Sequence, residues 1–246
     1  MVENLVFISG ASSGIGAALN RAVPFQSARV INISRRPVDG CIHFYADLSD
    51  PASWATVAEL FERETKGFGG ERVVFIHSAG TLEPIGFAGE VCPDSYTRQV
   101  LLNSASPQVL GEAFVRASHA TEALCQMLII GSGAAANLYP GWSAYGPGKA
   151  AANQWVRTVG AEQHSRGGNC QVVSIAPGIV ATPMQEQIRT VSAHEFPDVV
   201  DFIGYCERGE LSDPDAVAVE LWGLLRGDEL ENGSVLDLRD QADTES

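Results

Sequence analysis

The feature that most constrains this chain lies in its first sixteen residues. The apolar run Leu5-Val6-Phe7-Ile8 leads straight into Ser9-Gly10-Ala11-Ser12-Ser13-Gly14-Ile15-Gly16, and a helical pattern follows over Ile15–Val23. A buried strand that ends in a glycine loop and opens a helix points to an α/β fold. Glycines let the backbone turn sharply and approach a pyrophosphate, which then lies at the helix N-terminus. Gly10, Ser12, Ser13, Gly14, Ile15 and Gly16 are therefore candidate cofactor-binding residues. The spacing is Gly-x-x-x-Gly-x-Gly, which differs from the more familiar Gly-x-Gly-x-x-Gly.

The same alternation continues along the chain. Strand-like runs are expected at Leu5–Ser9, Ala28–Ser34, Ile42–Tyr45, Arg72–His77, Gln126–Ile130, Gln171–Ile175 and Ser234–Leu238. Nearly continuous apolar character marks them as parallel strands buried on both faces. Helical patterns fall between them, at Ile15–Val23, Pro51–Lys66, Pro93–Leu102, Pro107–Thr121, Ser143–His164 and Pro214–Leu225. Asp50-Pro51 and Asp213-Pro214 each place a capping carboxylate before a proline suited to the first helical turn. The expected architecture is a single Rossmann-type domain over residues 1–246, with a doubly wound parallel sheet of about seven strands and helices on both faces. Residues 179–211 form a long insertion of the kind that covers a site, and residues 241–246 form a polar, frayed tail.

Composition narrows the function. A formal charge of −14 argues against nucleic acid or anionic membrane as partners, because phosphate backbones need basic patches. No apolar run approaches the roughly 18 residues of a membrane span, and the start of the chain reads as a strand rather than a signal peptide. The five cysteines are odd in number and dispersed, as expected of reduced thiols in a cytoplasmic protein. The five histidines show no metal-ligand spacing, so no metal is expected.

Two further stretches carry chemistry. The second strand ends at Ser34-Arg35-Arg36, where an acidic residue would bind a ribose 2′-hydroxyl and repel a 2′-phosphate. Two guanidiniums suited to bidentate phosphate contact favour NADP(H). Tyr145-Gly146-Pro147-Gly148-Lys149 opens a helical run, and residues i and i+4 share a helix face. A lysine charge beside a phenol is expected to favour the phenolate and lower the Tyr145 pKa. Pro147 is harmless only in a first turn, so the helix is expected to start close to Ser143 with Tyr145 in its first turn.

With these pieces in order, the chain resembles the classical short-chain dehydrogenase/reductase family over nearly its whole length. Gly10, Gly14 and Gly16 match the glycine motif, and Asp47-Leu48 match the pair that touches the adenine. His77-Ser78-Ala79-Gly80 stand where the family has Asn-Asn-Ala-Gly, so Ser78 replaces an asparagine that ties neighbouring backbone together. Ser9 replaces a threonine. Asn103 matches the fourth-helix asparagine, Ser132 precedes Tyr145 by the family's spacing, and Pro177, Gly178, Ile179 and Thr182 match the segment that holds the nicotinamide. The resemblance implies Tyr145 as general acid, Ser132 as stabiliser of the substrate oxygen, Lys149 on the nicotinamide ribose and Asn103 anchoring a relay water to Lys149. It also implies a homo-oligomer, dimer or tetramer, paired through the helices at Pro107–Thr121 and Ser143–His164.

Within the family the chain is most similar to the benzil reductase and sepiapterin reductase-like branch. Gly80-Thr81-Leu82-Glu83-Pro84, Trp142-Ser143-Ala144-Tyr145 and Thr182-Pro183-Met184-Gln185 carry that likeness. Sepiapterin reductases bear a Gly-x-x-x-Asp whose carboxylate anchors the pterin, and Gly233 with Asp237 has that form, although a turn glycine before an incidental aspartate reads equally well. Leu82, Trp142, Met184 and Asp237 are thus expected at the substrate, with Leu138, Tyr139, Ile188, Phe196, Phe202 and Tyr205 as further wall. The implied activity is NADPH-dependent reduction of a small-molecule carbonyl, a hydrophobic or aromatic ketone or diketone. The alternatives are a 3-oxoacyl thioester reductase, disfavoured by the acidic surface, and a non-catalytic NADP-binding sensor or scaffold.

Overall fold

In the computed structural model, which describes residues 2–227 and 230–242, seven parallel strands form one sheet in the order β3-β2-β1-β4-β5-β6-β7. They are β1 (Asn4–Ser9), β2 (Ala28–Ser34), β3 (Ile42–Tyr45), β4 (Arg72–His77), β5 (Leu124–Ile130), β6 (Cys170–Ala176) and β7 (Val235–Asp237). All six residues of β1 are buried, which is why its sequence is apolar without alternation. The period-2 geometry of a strand still sorts the side chains between two cores. Leu5, Phe7, Val73, Phe75, Met127 and Val172 face one side of the sheet, while Val6, Ile8, Val74, Ile76, Leu128 and Val173 face the other. Phe7 meets Phe61 edge-on at 4.9 Å between ring centroids, and Phe114 closes on the same group.

The helices that cover these faces are α1 (Gly14–Arg21), α2 (Ala52–Thr65), α3 (Pro93–Val100), α4 (Ser106–Ser118), α5 (Tyr145–Arg166), α6 (Pro183–Ile188), α7 (Val199–Glu207), α8 (Pro214–Arg226) and α9 (Leu238–Ala242). The cap expected at Asp213 is present, whereas at α2 Pro51 holds the capping position and Asp50 bonds the first helical N–H from one residue earlier. Asp213 Oδ1 accepts from the backbone N–H groups of Asp215 (2.7 Å) and Ala216 (3.3 Å), and Asp50 Oδ1 accepts from Ala52 N at 3.0 Å.

One sequence expectation needs correction. Pro93–Leu102 and Pro107–Thr121 are not separate helices, because a π-helical turn at Leu101–Ala105 joins α3 to α4. Pro107 is compatible with this continuity because the π turn just before it, with Ser106 N bonded to Leu101 O, already interrupts the regular i→i−4 ladder that its missing N–H would break. The insertion carries α6 and α7. Its ends are tied together by Ala181 N to Ser212 O (2.9 Å) and Ser212 N to Ile179 O (2.8 Å). Of the expected frayed tail, residues 243–246 lie outside the described residues, and Gln241 and Ala242 close α9. Strand order reverses between β1 and β4, and the crevice beyond their carboxyl ends is where an open α/β sheet binds its ligand.

Candidate active site

The glycine loop is built for close approach. Gly10 has φ +71°, and a Cβ there would lie 2.9 Å from the Ala79 backbone; a Cβ on Gly16 would lie 2.3 Å from Gly10 O. Ser9 Oγ accepts from both Ser78 N and Ala79 N at 3.1 Å. The tie between β1 and β4 that Ser78 was expected to weaken is therefore made from the other strand. A cavity of about 730 Å³ runs from this loop along the carboxyl edge of the sheet. It touches every expected cofactor residue except Gly16, which lies beneath the loop.

At one end, Ser34 Oγ donates to Arg36 O (2.7 Å) and so closes the turn that exposes the side chains of Arg35 and Arg36. Arg35 lies 4.0 Å from Asp47 Oδ2, and Asp47 also accepts from Ser49 N and Ser49 Oγ. Burial works to raise the Asp47 carboxyl, but the Ser49 bonds and the charges of Arg35 and Arg98 hold it below the usual range. Arg98, on α3, lines the same end of the cavity. Sequence reading missed it, since nothing local to a helical arginine signals that it will meet a strand end more than sixty residues away.

At the other end stand the candidate catalytic groups. Ser132 follows β5 and caps a 3₁₀ turn, its Oγ accepting from Ala134 N at 3.2 Å. Tyr145 is the first residue of α5, two residues later than Ser143, and Pro147 falls in the first turn as required. Tyr145 is buried, and its phenol interacts with the Ser132 hydroxyl. One turn on, Lys149 is buried with Nζ 2.8 Å from Ile130 O and 5.9 Å from the Tyr145 ring centroid. Asn103 lies in the π turn, a distortion often found at functional sites. Its Oδ1 accepts from Thr81 N (3.0 Å) and its Nδ2 donates to Thr81 O (2.7 Å). A Cβ on Gly80 would lie 3.2 Å from Asn103 Oδ1 and 3.9 Å from Lys149 Nζ, so Asn103 stands behind Gly80 and does not line the cavity.

The electrostatics correct one expectation. Burial pushes the Tyr145 phenol above its ordinary value, and the Ser132 hydrogen bond offsets only part of that. The net shift is upward even with Lys149 one turn away. Burial brings the ammonium itself down to about 8, and Nζ donates to a carbonyl rather than to the phenol. The arrangement keeps Tyr145 protonated.

Beyond Tyr145 the cavity is walled by Leu82, Tyr139, Trp142, Met184, Ile188, Phe202 and Tyr205. Phe196 does not reach it, because it stacks behind Trp142 at 4.6 Å and 19°. Leu138 is 96% exposed and faces away from the wall it was expected to join. Asp237 is also displaced from its expected role. Its carboxylate accepts from Arg239 Nε (2.9 Å), a terminal Arg239 nitrogen (2.7 Å) and Arg239 N (3.1 Å), and it is Arg239 that lines the cavity. Among the described residues, no cluster of His, Cys, Asp and Glu could hold a metal ion, and no helix is long and apolar enough to cross a membrane.

The close-approach loop, the exposed arginines and the long cavity fit a dinucleotide laid from Arg35 to Tyr145. Comparison with known proteins agrees with that geometry. A family model described as short chain dehydrogenase matches residues 4–192. A benzil reductase ((S)-benzoin forming) of Bacillus subtilis is 31% identical over 240 residues, covering 96% of this chain and 98% of that protein. A sepiapterin reductase of Bos taurus is 30% identical over 263 aligned positions, covering 97% of this chain and 96% of its own. Among solved structures, the KRED1-Pglu enzyme matches with TM-score 0.77 and 26% identity, over 94% of this chain and 99% of that one.

Proposed function

The chain belongs to the short-chain dehydrogenase family, and from that premise we propose that it is an NADPH-dependent carbonyl reductase acting on a hydrophobic or aromatic ketone or diketone. The observation that carries the reading is the continuity of one cavity from Arg35 and Arg36, past Tyr145 and Ser132, into the aromatic wall at Trp142 and Phe202. The same openness beside Tyr145 favours turnover over a sensor role. The nicotinamide supplies the hydride when bound.

The protein's own residues do the rest. Arg35 and Arg36 offer bidentate donors to a ribose 2′-phosphate, and Asp47 keeps Arg35 at the mouth of that site. The N-terminus of α1 and the bare backbone at Gly10 receive the pyrophosphate. Pro177, Gly178, Ile179 and Thr182 bound the nicotinamide end, with Thr182 Oγ1 also capping α6 by accepting from Gln185 N at 3.4 Å. Lys149, in its cationic form, holds the neighbouring ribose, and Asn103 fixes the Thr81 loop against which a relay water would sit. Ser132 donates to the carbonyl oxygen as charge builds there, and Tyr145 delivers its proton to that oxygen. The apolar wall excludes water from the reacting carbon and suits a flat aromatic group better than a sugar.

The test is NADPH oxidation in the presence of benzil and related diketones, with Tyr145→Phe alongside. The variant should lose roughly 10²–10⁴ in kcat/KM, and undiminished activity would remove Tyr145 from the proton-donor role.

A further inference from the structure

We infer that Arg239, held by Asp237, is a specificity-determining residue that donates to a second, neutral carbonyl of the substrate, selecting 1,2-diketones over monoketones. The inference rests on the reductase reading above and deepens it.

Position is the first argument. A Cβ on Gly133, the residue after Ser132, would lie 3.4 Å from a terminal nitrogen of Arg239, and a Cβ on Gly178 would lie 3.4 Å from Arg239 Cγ. The guanidinium therefore sits against the residue that follows Ser132, with its stem on the segment that borders the nicotinamide. It lines the same cavity as Tyr139, whose phenol lies within reach of its charge.

Rigidity is the second. Asp237, 17% exposed in its side chain, accepts three hydrogen bonds from Arg239, two of them from the guanidinium fork. Such bidentate pairing fixes the plane of the guanidinium; Nη2, which donates to Asp237 Oδ2 and is also the nitrogen near Gly133, keeps its second N–H to donate elsewhere. A long, half-exposed arginine that would otherwise sample many rotamers is thus aimed in advance.

Charge decides the ligand class. The cation is offset by the carboxylate bonded to it, so the pair presents N–H donors with little net charge. That suits a neutral carbonyl oxygen rather than a carboxylate, and the surrounding aromatic wall agrees. A substrate with its reacting carbonyl at Ser132 and Tyr145 would present a second carbonyl, on the adjacent carbon, to Arg239 across the same cavity. The same pairing accounts for the corrected role of Asp237, whose carboxylate serves a protein cation instead of reaching the substrate.

Benzil and deoxybenzoin share one skeleton and differ in that second carbonyl, so they form a matched pair. Their affinities for the protein in the presence of NADP⁺, measured by calorimetry in the parent chain and in Arg239→Met, isolate the contact. Benzil should bind about tenfold more tightly in the parent, and the ratio should fall towards one in R239M. A ratio near one in the parent, a ratio retained in R239M, or binding of neither ketone would overturn the assignment. Turnover of the two ketones with NADPH is scored separately. Absence of NADPH oxidation on both would count against the reductase reading, while the binding ratio continues to report on Arg239.

Discussion

Lys149 Nζ donates to the carbonyl of Ile130 at 2.8 Å and not to the hydroxyl of Tyr145, although the two residues stand one helical turn apart at the head of α5. The ammonium meets the phenol ring at 5.9 Å instead. Sharing a helix face brought the pair together, but the end of β5 decided what the lysine bonds to. The candidate pair is therefore a neutral phenol and an ammonium of lowered pKa, each shifted mainly by burial.

This sets a pH dependence for cofactor binding. Burial lowers Lys149 from 10.5 to about 8, so it loses its proton as pH rises through about 8. NADPH affinity should be constant just below that value and fall by up to about tenfold per pH unit above it. Fluorescence titration of NADPH across pH 7–10 checks this, and Lys149→Met should bind weakly without that limb. A parent protein whose affinity is flat across the range would contradict the assignment.

Arg35 and Arg36 should set the choice between the two dinucleotides. Each charge-assisted bond to a phosphate is worth about 1.5–3 kcal/mol, so Arg35→Ala and Arg36→Ala should each weaken NADPH about tenfold or more while changing NADH far less. Binding of both dinucleotides to the parent and the variants measures this. Equal loss for the two would show that the arginines do not read the 2′-phosphate.

His77 should make the fold acid-sensitive. It is 2% exposed, its Nε2 lies 3.0 Å from Ser106 Oγ, and Ser106 Oγ already donates to Leu102 O. Burial, joined by the nearby Lys149 charge, lowers its pKa from 6.5 to about 3. The unfolded chain thus binds more protons between about 3 and 6.5, so the stability His77 confers as a neutral ring is present above 6.5 and is lost as pH falls through that window. The slope from this group is at most about 1.4 kcal/mol per pH unit. Urea unfolding at pH 4.5 and 7 should show a smaller pH difference in His77→Asn than in the parent.

Assembly is the fourth expectation. The resemblance implies pairing through α4 and α5, and α4 presents Val109 at 42% exposure while its Gly111 packs directly beneath Trp155 of α5. Sedimentation should give a dimer or tetramer, and Val109→Asp should shift it towards monomer. A parent chain that sediments as a monomer would dispose of the idea.

The sequence by itself determined the local choices and their order. Apolar runs such as Val6–Ile8 could only be strands covered on both sides, Asp213-Pro214 had to open a helix, and Pro147 confined Tyr145 to a first turn. The glycine loop followed from the same reasoning, because glycines placed directly between a strand run and a helical run mark a sharp turn with bare backbone. These are properties of single residues and their near neighbours, which periodicity and stereochemistry expose.

Contacts across the fold were decided only in three dimensions. The π turn that carries Asn103 comes from continuous packing of α3 into α4, which two proline-marked patterns had concealed. Arg98 reaches the Arg35 end, Phe196 stacks behind Trp142, and Asp237 turns to Arg239, each through packing that no local pattern encodes. The pKa of Tyr145 belongs here too: its neighbour on the helix could be read from spacing, whereas its burial depends on Trp142, Phe202 and the whole insertion closing over it. Burial and partner choice are properties of the assembled chain, and they set the chemistry of this site.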